Sequence, residues 1–355
     1  MIDSRLLPLL FRCGRIFSPL YSLLMRVRAL LYAWGVLVVT RVPLPVISVG
    51  NLTMGGTGKT PMVIYLARLL ARHQLRPAVV SRGYGGRSKR PVNLVSDGAR
   101  VLLSAAEAGD EPVLLANTLP GVSVVTSRRR AQGAEFICQQ GLADLLILDD
   151  GFQHLALHRD LNLALFSSRT AVQREWVFPG GMLREPRSAL SRADCFVLTG
   201  VGPLSATPLP LGEWLRGSFP HTPCYEGRYE PVALHCQGRE AVAVADLAGI
   251  PLFAFCGLAN PDSFRQTLER GFLLRGWQPF ADHHPFTRAD LALLVERATH
   301  LGCAGLITTE KDFVKIKGLE CDLPIWVLTV ELRMEEGFDR FVLSRLGLVA
   351  DQPCP

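Results

Sequence analysis

Between residues 45 and 72 an apolar, β-branched run, Pro45-Val-Ile-Ser-Val-Gly50, leads into Asn51-Leu-Thr-Met-Gly55-Gly56-Thr57-Gly58-Lys59-Thr60-Pro61 and then into an amphipathic helical pattern over 62–72. Strand, glycine-rich turn and helix in that order commit the chain to an α/β architecture, because such a helix returns across the face of the sheet that its strand joins. The turn also asks for an anion. Gly55, Gly56 and Gly58, with Thr57 between them, let successive backbone N–H groups curl around phosphate oxygens, and the helix N-terminus adds the positive end of its dipole. Lys59 is placed to reach β- and γ-phosphates, and the Thr60 hydroxyl to ligate Mg2+. Pro61 is tolerated because a first-turn residue owes no N–H to the helix ladder. Strict spacing wants glycine at position 53, where Thr53 stands, but the other glycines keep the loop permissive.

A nucleotide site of this kind needs an acidic residue at the end of a second apolar strand. Leu145-Leu-Ile-Leu-Asp149-Asp150 supplies it about 90 residues on, and either aspartate can hold Mg2+ directly or through water. Further strand-like runs lie at 78–81, 122–126, 161–166 and 196–199, with a helical pattern over 128–140. From Pro203 to Pro223 the chain is rich in proline and glycine and reads as an irregular linker. Strand-like runs resume at 224–229 and 242–245, followed by 252–256, 274–280, 305–308 and 324–330 with helices between them. The chain ends in an amphipathic helix over 335–346. The expected fold is α/β. It has a P-loop NTPase-like parallel sheet with helices on both faces over 44–222, a second, smaller α/β lobe over 223–355, and an N-terminal membrane-interface helix within 1–43.

Charge is distributed very unevenly. The formal net charge is +6, yet residues 4–96 contain no Asp or Glu and carry fourteen Arg or Lys, so the remainder is net acidic. The first quarter of the chain faces something anionic. In the N-terminal segment the longest uncharged run, 29–40, is too short to span a bilayer, which takes roughly 20 apolar residues. On one continuous helix, Arg5, Arg12, Arg15 and Arg26 would gather on one arc, with Leu6, Leu9, Leu10, Leu20, Leu23 and Leu24 supplying apolar surface. That is the composition of a helix lying in a membrane interface. Pro8, Gly14 and Pro19 interrupt its register, and packing on the protein's own body is the alternative. Nucleic acid is not the expected partner, since the basic stretch lacks interleaved aromatic residues. The nine cysteines are scattered without C-x-x-C spacing, which argues against a zinc site or a disulfide framework.

Taken together, the motifs resemble those of the tetraacyldisaccharide 4'-kinase (lipid A 4'-kinase) family. The resemblance rests on Gly55-Gly-Thr-Gly-Lys-Thr-Pro61, Ser81-Arg-Gly-Tyr84-Gly85, Gly109-Asp110-Glu111-Pro112, Asp149-Asp-Gly-Phe-Gln-His154 and Pro179-Gly-Gly-Met-Leu-Arg184-Glu185-Pro186, with Asp282-His283 and Thr309-Glu-Lys311-Asp312. These run in order across nearly the whole chain. The resemblance implies ATP-dependent phosphorylation of the 4'-hydroxyl of a tetraacylated glucosamine disaccharide 1-phosphate at the cytoplasmic face of the inner membrane, by a protein expected to be monomeric. It implies Asp110 as the catalytic base assisted by His283, alongside Lys59. Glu185 joins Thr60, Asp149 and Asp150 as a candidate magnesium contact, and Asn51, Arg82 and Tyr84 are the candidate substrate contacts.

The residues alone leave other readings open. Asp110 and Glu111 before Pro112 are also what a helix N-terminus prefers. Arg184 and Glu185 can simply pair with neighbouring charges, and Lys311 can be a solvated loop charge. His284 stands as an alternative to His283, and His154 and His158 suit structural hydrogen bonds. Adjacent histidines in an extended segment point opposite ways and make a poor transition-metal pair. A P-loop switch protein, with no acceptor site, is the rival functional class.

Overall fold

The computed structural model describes residues 7–168, 170–201, 209–236, 242–247, 249–258, 261–282, 284–316 and 318–349. His283, expected to assist Asp110, lies outside them. Two helices, α1 (Leu7–Gly14) and α2 (Ser18–Ala33), come before the first strand. The strands are β1 (Val46–Asn51), β2 (Pro77–Ser81), β3 (Val92–Asp97), β4 (Ser123–Ser127), β5 (Leu145–Asp149), β6 (Leu161–Ser167), β7 (Cys195–Thr199), β8 (Cys224–Cys236), β9 (Pro251–Cys256), β10 (Leu273–Pro279), β11 (Gly305–Thr309) and β12 (Ile325–Met334). They form one sheet in the order β10-β9-β11-β12-β8-β7-β6-β1-β5-β2-β4-β3.

β1 lies between β5 and β6, parallel to both, and is buried at every residue. Strands covered on both faces read as unbroken apolar runs, which is why β1, β5 and β6 were legible. Alternate side chains divide between the faces. Ile47, Val49 and Ile147 meet Met62, Val63, Leu66 and Leu70 of α3 (Lys59–Arg72). Two short helices, α4 (Ala105–Ala108) and α5 (Asp110–Thr118), add Ala108, Val113 and Leu115 to this layer. On the other face Val46, Leu146 and Leu148 meet Ala134 and Ile137 of α6 (Arg130–Gln140).

The sheet is mixed, which corrects the parallel expectation in two places. β3 runs antiparallel to β4 at one edge, and β8 pairs parallel with β7 but antiparallel with β12. β8 is long enough, at 13 residues, to join both. The sheet is therefore continuous from β7 to β8, on either side of the position where the second lobe was expected to begin. Part of the expected linker is a helix, α7 (Pro210–Ser218), with Pro210 in its first turn and Leu211 and Leu215 buried. The expected strand at 242–245 is reduced to one bridge, Leu234 to Val242, and a 3-10 turn. Beyond β8, α8 (Pro261–Glu269) and α9 (Arg288–His300) cover opposite faces of β9. α10 (Glu310–Ile316) follows β11 directly, and α11 (Phe338–Arg345) returns to the layer of α3.

The single N-terminal helix is also corrected. α1 and α2 are separated because the chain docks at the break. A Cβ on Gly14 would stand 2.2 Å from the Pro179 carbonyl oxygen. Ser18 is buried, donating to the Val177 carbonyl at 2.7 Å and accepting from the Gly180 N–H at 2.9 Å. The Tyr21 ring packs edge-on against Phe178. The opposite side of α2 leaves Leu20, Leu23, Leu24, Val27 and Leu30 exposed, and Trp34, Val36 and Val38 continue that surface. No helix among the described residues is long and apolar enough to cross a membrane.

Candidate functional site

The glycine-rich loop joins the carboxyl end of β1 to α3, and its shape is held by buried polar groups. Gly58 caps α3 with φ of 77°, and a Cβ there would fall 1.9 Å from the Tyr229 hydroxyl oxygen, so glycine is required on both counts. Asn51 is fully buried. Its amide nitrogen donates to the Thr53 carbonyl at 2.7 Å, and its oxygen accepts from Lys59 Nζ at 3.4 Å. The Thr199 hydroxyl donates to the Thr57 carbonyl at 3.0 Å. Asn51, expected as a substrate contact, is thus placed inside the loop, where it orients both the backbone and the lysine. Thr60 lines the cleft one residue on.

Asp149 ends β5 and is buried, with one oxygen accepting from the Ser81 hydroxyl at 2.9 Å. Burial, reinforced by the negative charges of Glu111 and Asp150, pushes its carboxyl up to about 6. Asp150 adopts φ of 54°, a left-handed conformation that Asp tolerates better than most residues. This turns its carboxylate toward Arg184 Nη1, at 2.9 and 2.8 Å, and toward Lys59 Nζ, at 3.4 Å. Burial opposes ionisation of Asp150, but Lys59 and Arg184 outweigh it and hold the carboxyl below its usual range. Hard oxygen donors are what magnesium takes, and it normally keeps waters and phosphate oxygens as its other ligands. Thr60 with Asp149 and Asp150 is such a set, and the reluctance of Asp149 to ionise beside two other carboxylates is relieved by a cation. Among the described residues no cluster of three His, Cys, Asp or Glu is arranged to hold a metal unaided. Glu185 lines the same cleft, but its buried carboxylate is gripped by Arg192 and faces Arg28 at 3.7 Å.

Another part of the site is built on the N-terminus of α5, from which Glu111 lines the cleft. Gly109, at φ of 96°, packs so closely on the 81–86 turn that a Cβ would lie 2.4 Å from the Tyr84 carbonyl oxygen. This contact brings Arg82 and the exposed Tyr84 beside Asp110 and Glu111. α10 packs against α5, with Lys315 Nζ 4.0 Å from Asp110 Oδ2 and Lys311 Nζ 3.8 Å from Glu111. Lys311 also reaches Asp282 at 3.1 Å, which ties the 282 segment to this end of the cleft. His284 is engaged elsewhere, bonded to Asp290 at 3.2 Å and packed between Phe280 and Phe286.

One cleft of about 1220 Å³ joins these parts. Its lining includes the glycine-rich loop, Asp149, Asp150, Glu111, Arg82, Tyr84 and Asp282, and extends to Tyr21, Met25 and Arg28 of α2. Arg28 donates to the Gln153 carbonyl at 3.1 Å, and Gln153 in turn donates to the Asn51 carbonyl at 2.8 Å. α2 is therefore hydrogen-bonded, through one residue, to the strand end that carries the phosphate loop. No sequence pattern signals this link, the Arg184–Asp150 pair or Lys315, because each joins segments that only the fold brings together. His154 also lines the cleft. Burial, with Arg130, Arg159, Arg28 and Arg82 nearby, pushes it down to about 4, and its Nε2 has no hydrogen-bond partner among the described residues. His158 faces Asp160 at 3.6 Å.

A family model described as Tetraacyldisaccharide-1-P 4'-kinase matches residues 10–347. The chain is 43% identical over 338 residues to the tetraacyldisaccharide 4'-kinase of Desulfotalea psychrophila, covering 95% of this chain and 97% of that one. It is 40% identical over 352 residues to that of Syntrophus aciditrophicus, covering 93% and 94%. The crystal structure of LpxK from Aquifex aeolicus in complex with ATP is similar with a TM-score of 0.74 at 34% identity, covering 97% of this chain and 99% of that one.

Proposed function

The chain belongs to the tetraacyldisaccharide-1-P 4'-kinase family, and from that membership we propose that it is a kinase of lipid A biosynthesis that uses ATP to phosphorylate the 4'-hydroxyl of a tetraacylated glucosamine disaccharide 1-phosphate. The observation that carries this reading is the single cleft holding the phosphate-loop lysine, the paired aspartates and the 81–84 turn, and walled at one end by α2. A nucleotide and a lipid headgroup can meet there without leaving the bilayer surface.

In this reading the loop N–H groups and Lys59 bind the β- and γ-phosphates, with Lys59 held in place by Asn51 and Asp150. Magnesium, held by Thr60 with Asp149 or Asp150, supplies neutralisation of phosphate charge when bound. Asp110, helped by His283, takes the proton of the 4'-hydroxyl as the acceptor oxygen bonds to the γ-phosphorus and the bond to the β-phosphate oxygen breaks, leaving ADP. Arg82 and Tyr84 contact the acceptor sugar. The exposed apolar face of α2, flanked by exposed Arg12, Arg15 and Arg26, lies on the cytoplasmic face of the inner membrane. In this reading the enzyme is a monomer.

The test is transfer of ³²P from γ-labelled ATP to detergent-dispersed tetraacyldisaccharide 1-phosphate. Label on the lipid should fall at least a hundredfold in Lys59→Ala, on the scale of losing a preorganised contact to the transferring phosphoryl group. ATP hydrolysis by folded, saturated enzyme with no lipid label would instead favour a nucleotide switch.

A further inference from the structure

Lys315 lies on the inner side of α10 with its side chain 8% exposed. Its Nζ is 3.2 Å from Oδ1 of Asp312, a fully buried carboxylate. The other oxygen of Asp312 accepts from the Gly257 N–H at 2.8 Å and from the Thr309 hydroxyl at 2.9 Å. One oxygen is therefore fixed by the ends of β9 and β11, and the other fixes the ammonium. The Phe286 ring sits beneath it, its centroid 5.8 Å from Nζ. A lysine held this way has its burial compensated chiefly by Asp312, and it also reaches across to Asp110 Oδ2 at 4.0 Å.

From these contacts we propose that Lys315 is a positioning residue for phosphoryl transfer, holding the Asp110 carboxylate ionised and aimed at the acceptor end of the cleft. The proposal rests on Asp110 being the group that takes the acceptor proton. Several charged and titratable groups stand around Asp110. Glu111 on the same helix and Asp282 from the segment after β10 are engaged by Lys311, at 3.8 and 3.1 Å. Arg82 and Tyr84 stand on the turn packed against Gly109, His283 is outside the described residues, and Asp312 is turned into the β9 and β11 ends. Lys315 faces Asp110 from α10. An opposite charge at this range favours the ionised carboxylate, and a carboxylate that takes a proton must be ionised and oriented when the acceptor arrives.

The experiment compares Lys315→Met, which keeps the stem and removes the charge, with Lys315→Arg, which restores charge. Melting temperature, ATP affinity and the pH profiles of kcat and KM are measured with detergent-dispersed lipid acceptor. In Lys315→Met the acidic limb of kcat should move up by about one pH unit, kcat at neutral pH should fall about tenfold, and ATP affinity should stay within about twofold. Lys315→Arg should return the limb toward its original position. Because methionine leaves Asp312 buried without its cation, which can unfold a protein, the double variant Asp312→Asn with Lys315→Met is run beside it and should show the same displaced limb. A folded variant whose limb does not move, or whose kcat merely follows its melting temperature, overturns the proposal. Asp110→Asn separates the two layers of inference. If it still transfers phosphate, the role assigned to Asp110 fails whatever Lys315 does. If it abolishes transfer while the Lys315 variants leave the limb unmoved, only the positioning role fails.

Discussion

The carboxyl of Asp149 sits at the end of a strand buried at every position, accepts from Ser81, and is crowded by Glu111 and Asp150, so that burial and like charge together push it up to about 6. An unfolded aspartate titrates near 3.9. Between these values the folded protein holds a proton that the unfolded chain has lost, so this residue's contribution to stability is present at low pH and declines as pH rises through the window. The integrated loss is about 3 kcal/mol by neutral pH. Asp149→Asn should abolish it: in urea melts of nucleotide-free protein, the stability of the variant relative to wild type should climb by about that amount between pH 4 and 7. A flat difference would place Asp149 in a far more polar setting than its burial indicates. At this scale the legible residues were those whose partners are adjacent in sequence. Lys59 and Thr60 are read from their own loop, whereas the Arg184 grip on Asp150 depends on a left-handed φ at Asp150 and a partner 34 residues away. Asn51 stands out at the strand end, but no spacing rule says that its amide turns inward to the Thr53 carbonyl and Lys59.

Among the elements, those driven by burial on both faces were visible, and the break near Gly14 and Pro19 was signalled, whereas β3 and α7 were not. β3 is an edge strand whose outer half is only partly buried, and α7 begins at a proline inside a stretch rich in proline and glycine. The break between α1 and α2 follows from Gly14 and Ser18 docking on the 177–180 segment, a contact that a helical wheel drawn from sequence does not contain. The docking also determines which face of α2 is left over. Leu20, Leu23 and Leu24 are 59%, 56% and 54% exposed, so replacing all three with serine removes little from the core. If this face enters the bilayer interface, each leucine contributes roughly 1 kcal/mol of burial there, and the triple variant should bind vesicles about a hundredfold more weakly. Vesicle flotation measures the binding directly. Affinity for ATP should be unchanged, because the residues of α2 that reach the cleft, Tyr21, Met25 and Arg28, are untouched. Unaltered flotation would return α2 to the role of a helix packed on its own protein.

For the molecule as a whole, the twelve-stranded sheet makes a frame across which the nucleotide loop and Lys311 of α10 face one cleft. An α/β fold with helices on both faces followed from the alternation of strands and helices. The unbroken sheet did not, because β8 joins β7 and β12 through pairings that no local pattern announces. The charge asymmetry was legible from the outset, and the fold gives it a location. Arg12, Arg15, Arg26 and Arg41 are exposed, as are apolar residues of α2 and of 34–39, so cations and apolar groups are exposed together along the N-terminal segment. Two contributions to the proposed membrane binding then respond differently to salt. Attraction to anionic headgroups decays over a Debye length, which shrinks from about 10 Å at 0.1 M ionic strength to about 3 Å at 1 M. Insertion of leucine side chains is not screened. On vesicles rich in anionic lipid, raising salt across this range should therefore lower phosphorylation of vesicle-borne acceptor several-fold, yet leave a residual rate carried by the apolar face. With acceptor in neutral detergent micelles the same salt change should do much less, since the headgroup field is gone while ATP and the cleft are common to both assays. An equal salt effect in the two systems would move the electrostatics from the docking surface into the cleft, to Arg82, Arg184 and the acceptor's own phosphate.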